Sequence, residues 1–114
     1  MTVKEAIERS GASYPSETGN ERHFAWLSEL EARIGLELFG KKAEAVSEPD
    51  TVLCAPDAYA EIYPIYLMMK RELFCGDTER YKFYLSEFSR AYSRYTAFVT
   101  RSYAPVSSVL IKML

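Results

Sequence analysis

Apolar residues recur at helical spacing along most of this chain, and glycines, prolines and capping residues punctuate the runs. Thr2 and Glu5 carry the capping-box pattern of a short first helix through Ala12, with Val3 and Ile7 facing inward and Gly11 marking the end. After the turn-rich connector SYPSETGN, Asn20 is placed to cap a second helix that runs to about Phe39 and stops at Gly40. Phe24, Leu27, Leu30, Ile34 and Leu38 form its apolar stripe, with Trp26 on the edge, while Leu36 and Phe39 fall off it. Residues 40–55 show no sustained period and read as a loop. Pro56 and Asp57 open a third helix that runs to about Cys75. Its face is Tyr59, Ile62, Tyr63, Tyr66, Met69 and Leu73, yet Ile65 and Met68 make it apolar nearly all round, as expected of a central helix. Pro64 removes the bond to the Ala60 carbonyl and is expected to kink this helix.

Gly76 ends the third helix and Asp77 caps the fourth, so the two are expected to be antiparallel neighbours. The fourth runs from Thr78 to about Tyr103, and Pro105 breaks it. The closing VSSVLIKML is apolar and too short to be a helix alone; Val109, Leu110 and Ile111 suit an arm that docks on the body or on another copy. The predicted fold is all-α: a small bundle of about four helices with a long antiparallel C-terminal helix pair, one domain over residues 1–104 and an apolar C-terminal arm or tail over 105–114. The predicted core is Leu27, Leu30 and Ile34 on the second helix, Tyr59, Tyr63 and Tyr66 on the third, and Tyr81, Tyr84, Phe88, Tyr92 and Tyr95 on the fourth.

The stretch ERYKFYLSEFSRAYSRY, residues 79–95, mixes four tyrosines and two phenylalanines with four basic residues, a composition shared by single-strand-binding surfaces and helix interiors. A helical wheel separates the two. With Tyr81 at zero, Tyr84, Leu85, Phe88, Tyr92, Tyr95, Val99 and Tyr103 lie within roughly 60°, whereas Phe83, Arg90, Arg94 and Arg101 cluster near roughly 200°. Base stacking needs rings and cations on one surface, so the tyrosines read as core facing the third helix and the arginines as an outer strip. Eight tyrosines between residues 59 and 103 also imply a boundary, because each buried hydroxyl needs a partner. Arg90 and Arg94 are like charges four residues apart, an arrangement that favours an acidic neighbour, either Glu87 or a partner.

A chain of 114 residues, 48% hydrophobic and 14% aromatic, is sufficient for one core. Fourteen basic against sixteen acidic residues give −2, far from the positive footprint of a dedicated nucleic-acid binder. The halves differ: residues 1–55 hold 6 basic and 10 acidic groups (−4), residues 56–114 hold 8 and 6 (+2), an asymmetry able to orient copies head to tail. Cys54 and Cys75 lack metal-site spacing and read as reduced thiols in or near the core of a cytosolic protein. His23 is the single histidine, and the carboxylate pairs Glu29 with Glu31 and Glu5 with Glu8 read as solvated helix faces. No glycine-rich phosphate loop, HExxH, EF-hand or dinucleotide fingerprint occurs, nor a signal peptide or an apolar run of membrane-spanning length, so no catalytic site, cofactor, metal or membrane association is expected.

The pattern Pro56-x2-Tyr59-x3-Tyr63-x2-Tyr66-Leu67, then Gly76-Asp77-x3-Tyr81-x6-Phe88-x3-Tyr92, with the opening MTVKEAIE, resembles small phage and prophage head–tail connector (adaptor, or neck) proteins of Gram-positive hosts. The resemblance covers the first turns and about half of the chain, and hardly touches residues 40–55 or the tail. It implies a non-enzymatic helical subunit that assembles as a homo-oligomeric ring, meets the portal protein and tail-side neck proteins, and lets packaged DNA pass without specific binding. It also implies a location in the virion, and in the bacterial host cytoplasm during assembly. Leu36, Phe39, Ile65, Met68, Phe83, Arg90, Arg94 and Arg101, with the arm residues, are then interface candidates. The other open reading is a small helical regulatory or nucleic-acid-binding protein.

The wheel makes a direct prediction. Tyr92→Ala lowers stability by a few kcal/mol more than Arg94→Ala, about 3 kcal/mol in line with large-to-small core losses. Equal thermal shifts for the two variants would reject the wheel.

Overall fold

The computed structural model describes residues 1–14 and 20–102. Four α-helices follow in order: α1 (Val3–Arg9), α2 (Glu21–Ile34), α3 (Ile62–Cys75) and α4 (Thr78–Ser102). A π-helical turn, Gly35–Phe39, prolongs α2, and a 3-10 turn, Asp57–Tyr59, precedes α3. The all-α bundle with its long antiparallel C-terminal pair is therefore the fold; the arm at 105–114 and Tyr103 lie outside the described residues.

Local chemistry sets the helix ends. At α1 the Glu5 N–H donates to Thr2 Oγ1 and the Thr2 N–H donates to the Glu5 carboxylate, a complete capping box. The helix ends at Arg9 rather than Ala12. Gly11 takes φ 91°, and the Gly11 and Ala12 N–H groups turn back to the carbonyls of Glu8 and Ile7, a Schellman closure that puts Ala12 outside the helix. The same closure recurs at α3, where Gly76 at φ 82° and Asp77 bond back to Leu73 and Glu72. Asp77 then caps α4 through Oδ1, which accepts from the Arg80 N–H at 3.1 Å. Asn20 departs from expectation: its side chain makes no capping bond to α2 and instead meets His23 Nδ1 at 3.2 Å.

Two further expectations are corrected around α3. The helix starts at Ile62, not Pro56, because the chain makes a separate 3-10 turn first. Pro64 then stands third in the helix, where no intrahelical N–H bond is required, and the Ala60 carbonyl accepts from the Tyr63 N–H instead, at 3.1 Å. Pro64 is buried and the expected kink has no cause.

Helix α3 is central, with Ile62, Tyr63 and Leu67 fully buried. Helix α4 packs along it: Tyr66 meets Phe88 at a ring separation of 5.1 Å and Tyr59 meets Tyr95 at 5.8 Å. As one residue number falls the other rises by the same step, as antiparallel packing demands. Helix α1 meets α3 from another side, where Arg71 donates to the Ser10 carbonyl. Arg71 and Tyr66 are five residues apart, about 140° round the helix, so α1 and α4 occupy nearly opposite flanks of α3.

Residues 40–55 contain no helix but are tightly held. The Val3 and Lys4 N–H groups at the start of α1 donate to the carbonyls of Thr51 and Pro49, at 3.0 and 2.8 Å. The Val46 N–H donates to Ser28 Oγ at 2.6 Å, and Val46, Leu53 and Ala55 are buried. At the other end of the molecule, no residue from Lys70 to Glu87 is buried. This hairpin tip leaves Leu73 52%, Phe74 62% and Phe83 60% exposed, so Leu73 is not on a covered face as expected.

The π turn brings a testable constraint. The Gly35 carbonyl accepts from the Lys41 N–H at 2.8 Å, and a Cβ on Gly35 would lie 2.6 Å from the Lys41 carbonyl oxygen. Because that neighbour is backbone, Gly35→Ala is expected to shift the returning chain and cost about 1–3 kcal/mol, read as a lower urea midpoint. An unchanged midpoint would show that the chain relaxes freely there.

Candidate functional site

Helix α4 divides into an inner seam and an outer strip. Phe88, Tyr92, Tyr95 and Val99 are buried, whereas Arg90, Arg94 and Arg101 are exposed. The seam continues beyond the ring pairs above: Phe88 stacks on Tyr92 at 5.4 Å and Tyr59 on Phe98 at 4.7 Å. Of the expected core, Leu27, Leu30, Ile34, Tyr63 and Tyr66 are also buried, while Tyr59, Tyr81 and Tyr84 are half-buried and pack against the core edge. Tyr81 and Tyr84 stay half-open because they belong to the hairpin tip, where α4 has only a thin cover.

The interface candidates fall into three groups. Leu36 and Phe83 are exposed, at 64% and 60%. Phe39, Ile65 and Met68 are half-buried, and Phe39 and Ile65 pack on the core. For Phe39 the reason is the π turn: its wider spacing brings the residue back near the azimuth of buried Ile34. Val109, Leu110 and Ile111 lie outside the described residues.

On the strip, Arg90 Nη1 meets Glu87 Oε1 at 3.6 Å. Arg94 lines a cleft of about 290 Å³ with Ala58, Tyr59, Glu61 and Ala91. Neither Arg94 nor Arg101 forms an ion pair among the described residues.

Two polar clusters escaped the sequence reading. Glu31, expected on a solvated face, is buried. Its Oε1 accepts from the Tyr63 hydroxyl at 2.6 Å and the Cys54 thiol at 3.4 Å, and its Oε2 accepts from the Cys54 N–H at 3.0 Å. The Tyr63 oxygen in turn accepts from the Ala55 N–H at 2.9 Å. The second cluster joins α2 to α4: Arg33 pairs with Glu37 at 3.1 Å, the Tyr92 hydroxyl donates to Glu37 Oε2 at 2.9 Å, and the Arg33 guanidinium lies 4.6 Å from the Tyr92 ring centroid. Glu29 does behave as a surface carboxylate, paired with Lys70 at 2.9 Å.

Neither cysteine is a core residue. Cys75 and Cys54 are both exposed and free, although the Cys54 sulfur turns toward Glu31. Burial of that thiol, with the Glu31 charge beside it, pushes it up to about 11, away from the thiolate needed for nucleophilic attack. His23 is half-buried, its ring 5.7 Å from that of Trp26, and burial followed by the charges of Arg71 and Arg22 lowers its pKa. Among the described residues no group of three or more histidines, cysteines or carboxylates could hold a metal ion, and no helix is long and apolar enough to cross a membrane.

No family model, curated protein or solved structure matches the chain.

The Glu31 cluster generates a prediction with a pH signature. Burial, then the Glu31 charge and hydrogen bond, raise the Tyr63 pKa far above the usual tyrosine range; burial, then Glu37, push Tyr92 up to about 12. An acid whose pKa rises on folding stabilises the native state below its unfolded pKa and loses that contribution as pH climbs through the folded value. Stability is therefore expected to fall above about pH 10 as unfolded tyrosines ionise. Tyr63→Phe should cost about 1–3 kcal/mol at pH 7 by leaving Glu31 and the Ala55 N–H short of partners, and should flatten the alkaline decline. Urea melts at pH 7, 9 and 11 measure both; an undiminished alkaline slope would reject the assignment.

Proposed function

We propose that this chain is a structural head–tail connector subunit of a phage or prophage virion, which assembles as a ring with other copies, seats on the portal protein and bridges to tail-side neck proteins. One observation carries the reading. Residues of the aromatic pattern that resembles the connector family converge in one seam: Tyr59, Tyr63 and Tyr66 before and along α3, Tyr81, Phe88 and Tyr92 along α4. What that seam leaves outward, the arginine strip and the apolar hairpin tip, is surface of the kind assembly proteins use.

A non-enzymatic role accords with a thiol at Cys54 held away from its thiolate form. The proposed site of action is the virion, reached from the host cytoplasm during assembly. Packaged DNA would pass through the ring without specific binding, which a net charge of −2 permits.

A second reading, a small nucleic-acid-binding helical protein, draws on the unpaired Arg94 and Arg101 of the strip.

The deciding experiment combines the purified full chain with portal complexes from the same genome, followed by pull-down and electron microscopy. Ring density on the portal is the expected result. Absence of portal binding, together with a salt-dependent DNA mobility shift lost in Arg90→Ala/Arg94→Ala, would replace it with the second reading.

A further inference from the structure

We propose that His23 and Arg71 form an acid-sensitive latch where the end of α1, the start of α2 and the end of α3 meet. Protonation of the chain's single histidine sets a second cation beside a half-buried guanidinium, and the first turns of α2 part from α3 while the aromatic seam stays closed.

His23, the third residue of α2, is half-buried, with its ring 5.7 Å from that of Trp26. Its Nδ1 meets the Asn20 amide nitrogen at 3.2 Å; that nitrogen can only donate, so Nδ1 accepts and the neutral ring carries its proton on Nε2. Nε2 is buried and finds no acceptor among the described residues, and the same holds for Arg71 Nε. Arg71 also donates through Nη2 to the Ser10 carbonyl, which ties the end of α1 to α3. The Arg22 guanidinium, 3.8 Å from the Phe74 ring centroid, ties the start of α2 to the same helix.

A proton added to this ring has no favourable place. It arrives at Nδ1, where the Asn20 amide already points its hydrogens, so the amide turns over or the contact breaks. The imidazolium then faces Arg71 from α3 and Arg22 from its own helix, and burial withholds the water that would screen them. No described carboxylate pairs with it. Glu8 on α1 and Glu21 on α2 are exposed and form no ion pair among the described residues, and Glu72, which faces Arg71, is held by Arg80 at 3.5 Å. Tyr84 and Cys75 are the other titratable neighbours of Arg71. Ser10 offers no acceptor in exchange, since its hydroxyl donates to the Ile7 carbonyl and its own carbonyl is taken by Arg71. Burial first, then Arg71 and Arg22, accordingly hold the His23 pKa below its ordinary 6.5. A base whose pKa falls on folding gives its full contribution above the unfolded value, and that contribution is lost as pH drops through the folded one.

The opening stays local. No residue from Lys70 to Glu87 is buried, so the latch closes the thin end of the bundle. Further along, Lys70 pairs with Glu29 at 2.9 Å and Tyr63 with Glu31 at 2.6 Å, which holds the rest of α2 in place. Release bares half-buried Trp26 beside the exposed Phe74 and enlarges the apolar tip in acid.

A single histidine makes the test direct. In the full chain carrying ¹³C-labelled histidine, NMR titration of the one ring signal should place His23 below 6.5. Hydrogen exchange of the Phe24 to Leu27 amides, corrected for its intrinsic pH dependence, should show protection about fivefold or more lower at about pH 5 than at about pH 7.5, with Phe88 to Tyr95 unchanged. His23→Gln keeps a donor and cannot titrate; it should stay folded by circular dichroism and show no acid loss. Arg71→Gln should bring the titration closer to 6.5, and Arg22→Gln, at an exposed position, should do so without touching the Ser10 bond. Glu17, between α1 and α2, lies outside the described residues, and Glu17→Gln separates its titration from that of His23. The latch is overturned by a His23 titration at or above 6.5, or by one that neither arginine variant moves. It is equally overturned by an acid loss that persists in His23→Gln, vanishes in Glu17→Gln, or spreads through the α3–α4 seam.

Discussion

The Glu31 carboxylate stands within the apolar stripe of α2, where an unpaired charge would be severely destabilising, and its partners come from two other parts of the chain. Tyr63 supplies a hydroxyl from α3, and Cys54 supplies a backbone N–H from the segment entering it. Satisfying this one group thus fixes α2, α3 and residues 53–55 relative to each other. The consequence spreads further. Leu53 donates to the Met1 carbonyl and Thr51 accepts from Val3, so the same segment closes over the start of α1. A purely apolar contact between α2 and α3 would tolerate sliding by a turn, whereas this network is satisfied in a single register. Removing one partner is accordingly worse than replacing the whole cluster with apolar groups.

The second constraint is the aromatic seam, which uses tyrosine where leucine would fill the same volume. The hydroxyls decide the difference. Tyr63 points inward to Glu31, and Tyr92 reaches the edge to Glu37, itself held by Arg33. Rings supply the buried area and hydroxyls fix the azimuth, so α4 is specified in rotation as well as in position. Toward the hairpin tip that specification fades, because α3 and α4 there cover chiefly each other. The Arg22 guanidinium, 3.8 Å from the Phe74 ring centroid, still leaves that ring largely open.

Periodicity sufficed for α2, α4 and the separation of tyrosines from arginines, since each depends on spacing within one element. It failed where a distant group intervened. Glu31 is four residues after Leu27 and three before Ile34, squarely inside the apolar stripe, and that position was the available signal of burial. Reading it as solvated followed from residue type instead of place. Pro64 misled for a similar reason: a proline in an apolar run predicts a kink only if the run is one helix, and the 3-10 turn at Asp57–Tyr59 resets the count. The fixing of residues 40–55 was not legible, because its bonds run from backbone groups to Ser28 and to the start of α1, and backbone groups leave no pattern in composition.

These internal constraints also determine what the outside can do. Arg90 and Arg94 share a face with Arg101 only while Phe88, Tyr92 and Tyr95 hold the opposite face against α3. A slip of one residue in that packing would turn α4 by about 100°, swinging the guanidinium groups toward the flank of the bundle and replacing tyrosine with serine or threonine in the seam. The Tyr92–Glu37–Arg33 link resists such a rotation, since a turned helix would strand the hydroxyl and leave Glu37 with Arg33 alone. The order of the strip is therefore inherited from the core. Any partner that reads the spacing of those arginines reads, indirectly, the hydrogen bond made by a tyrosine on the other side of the helix.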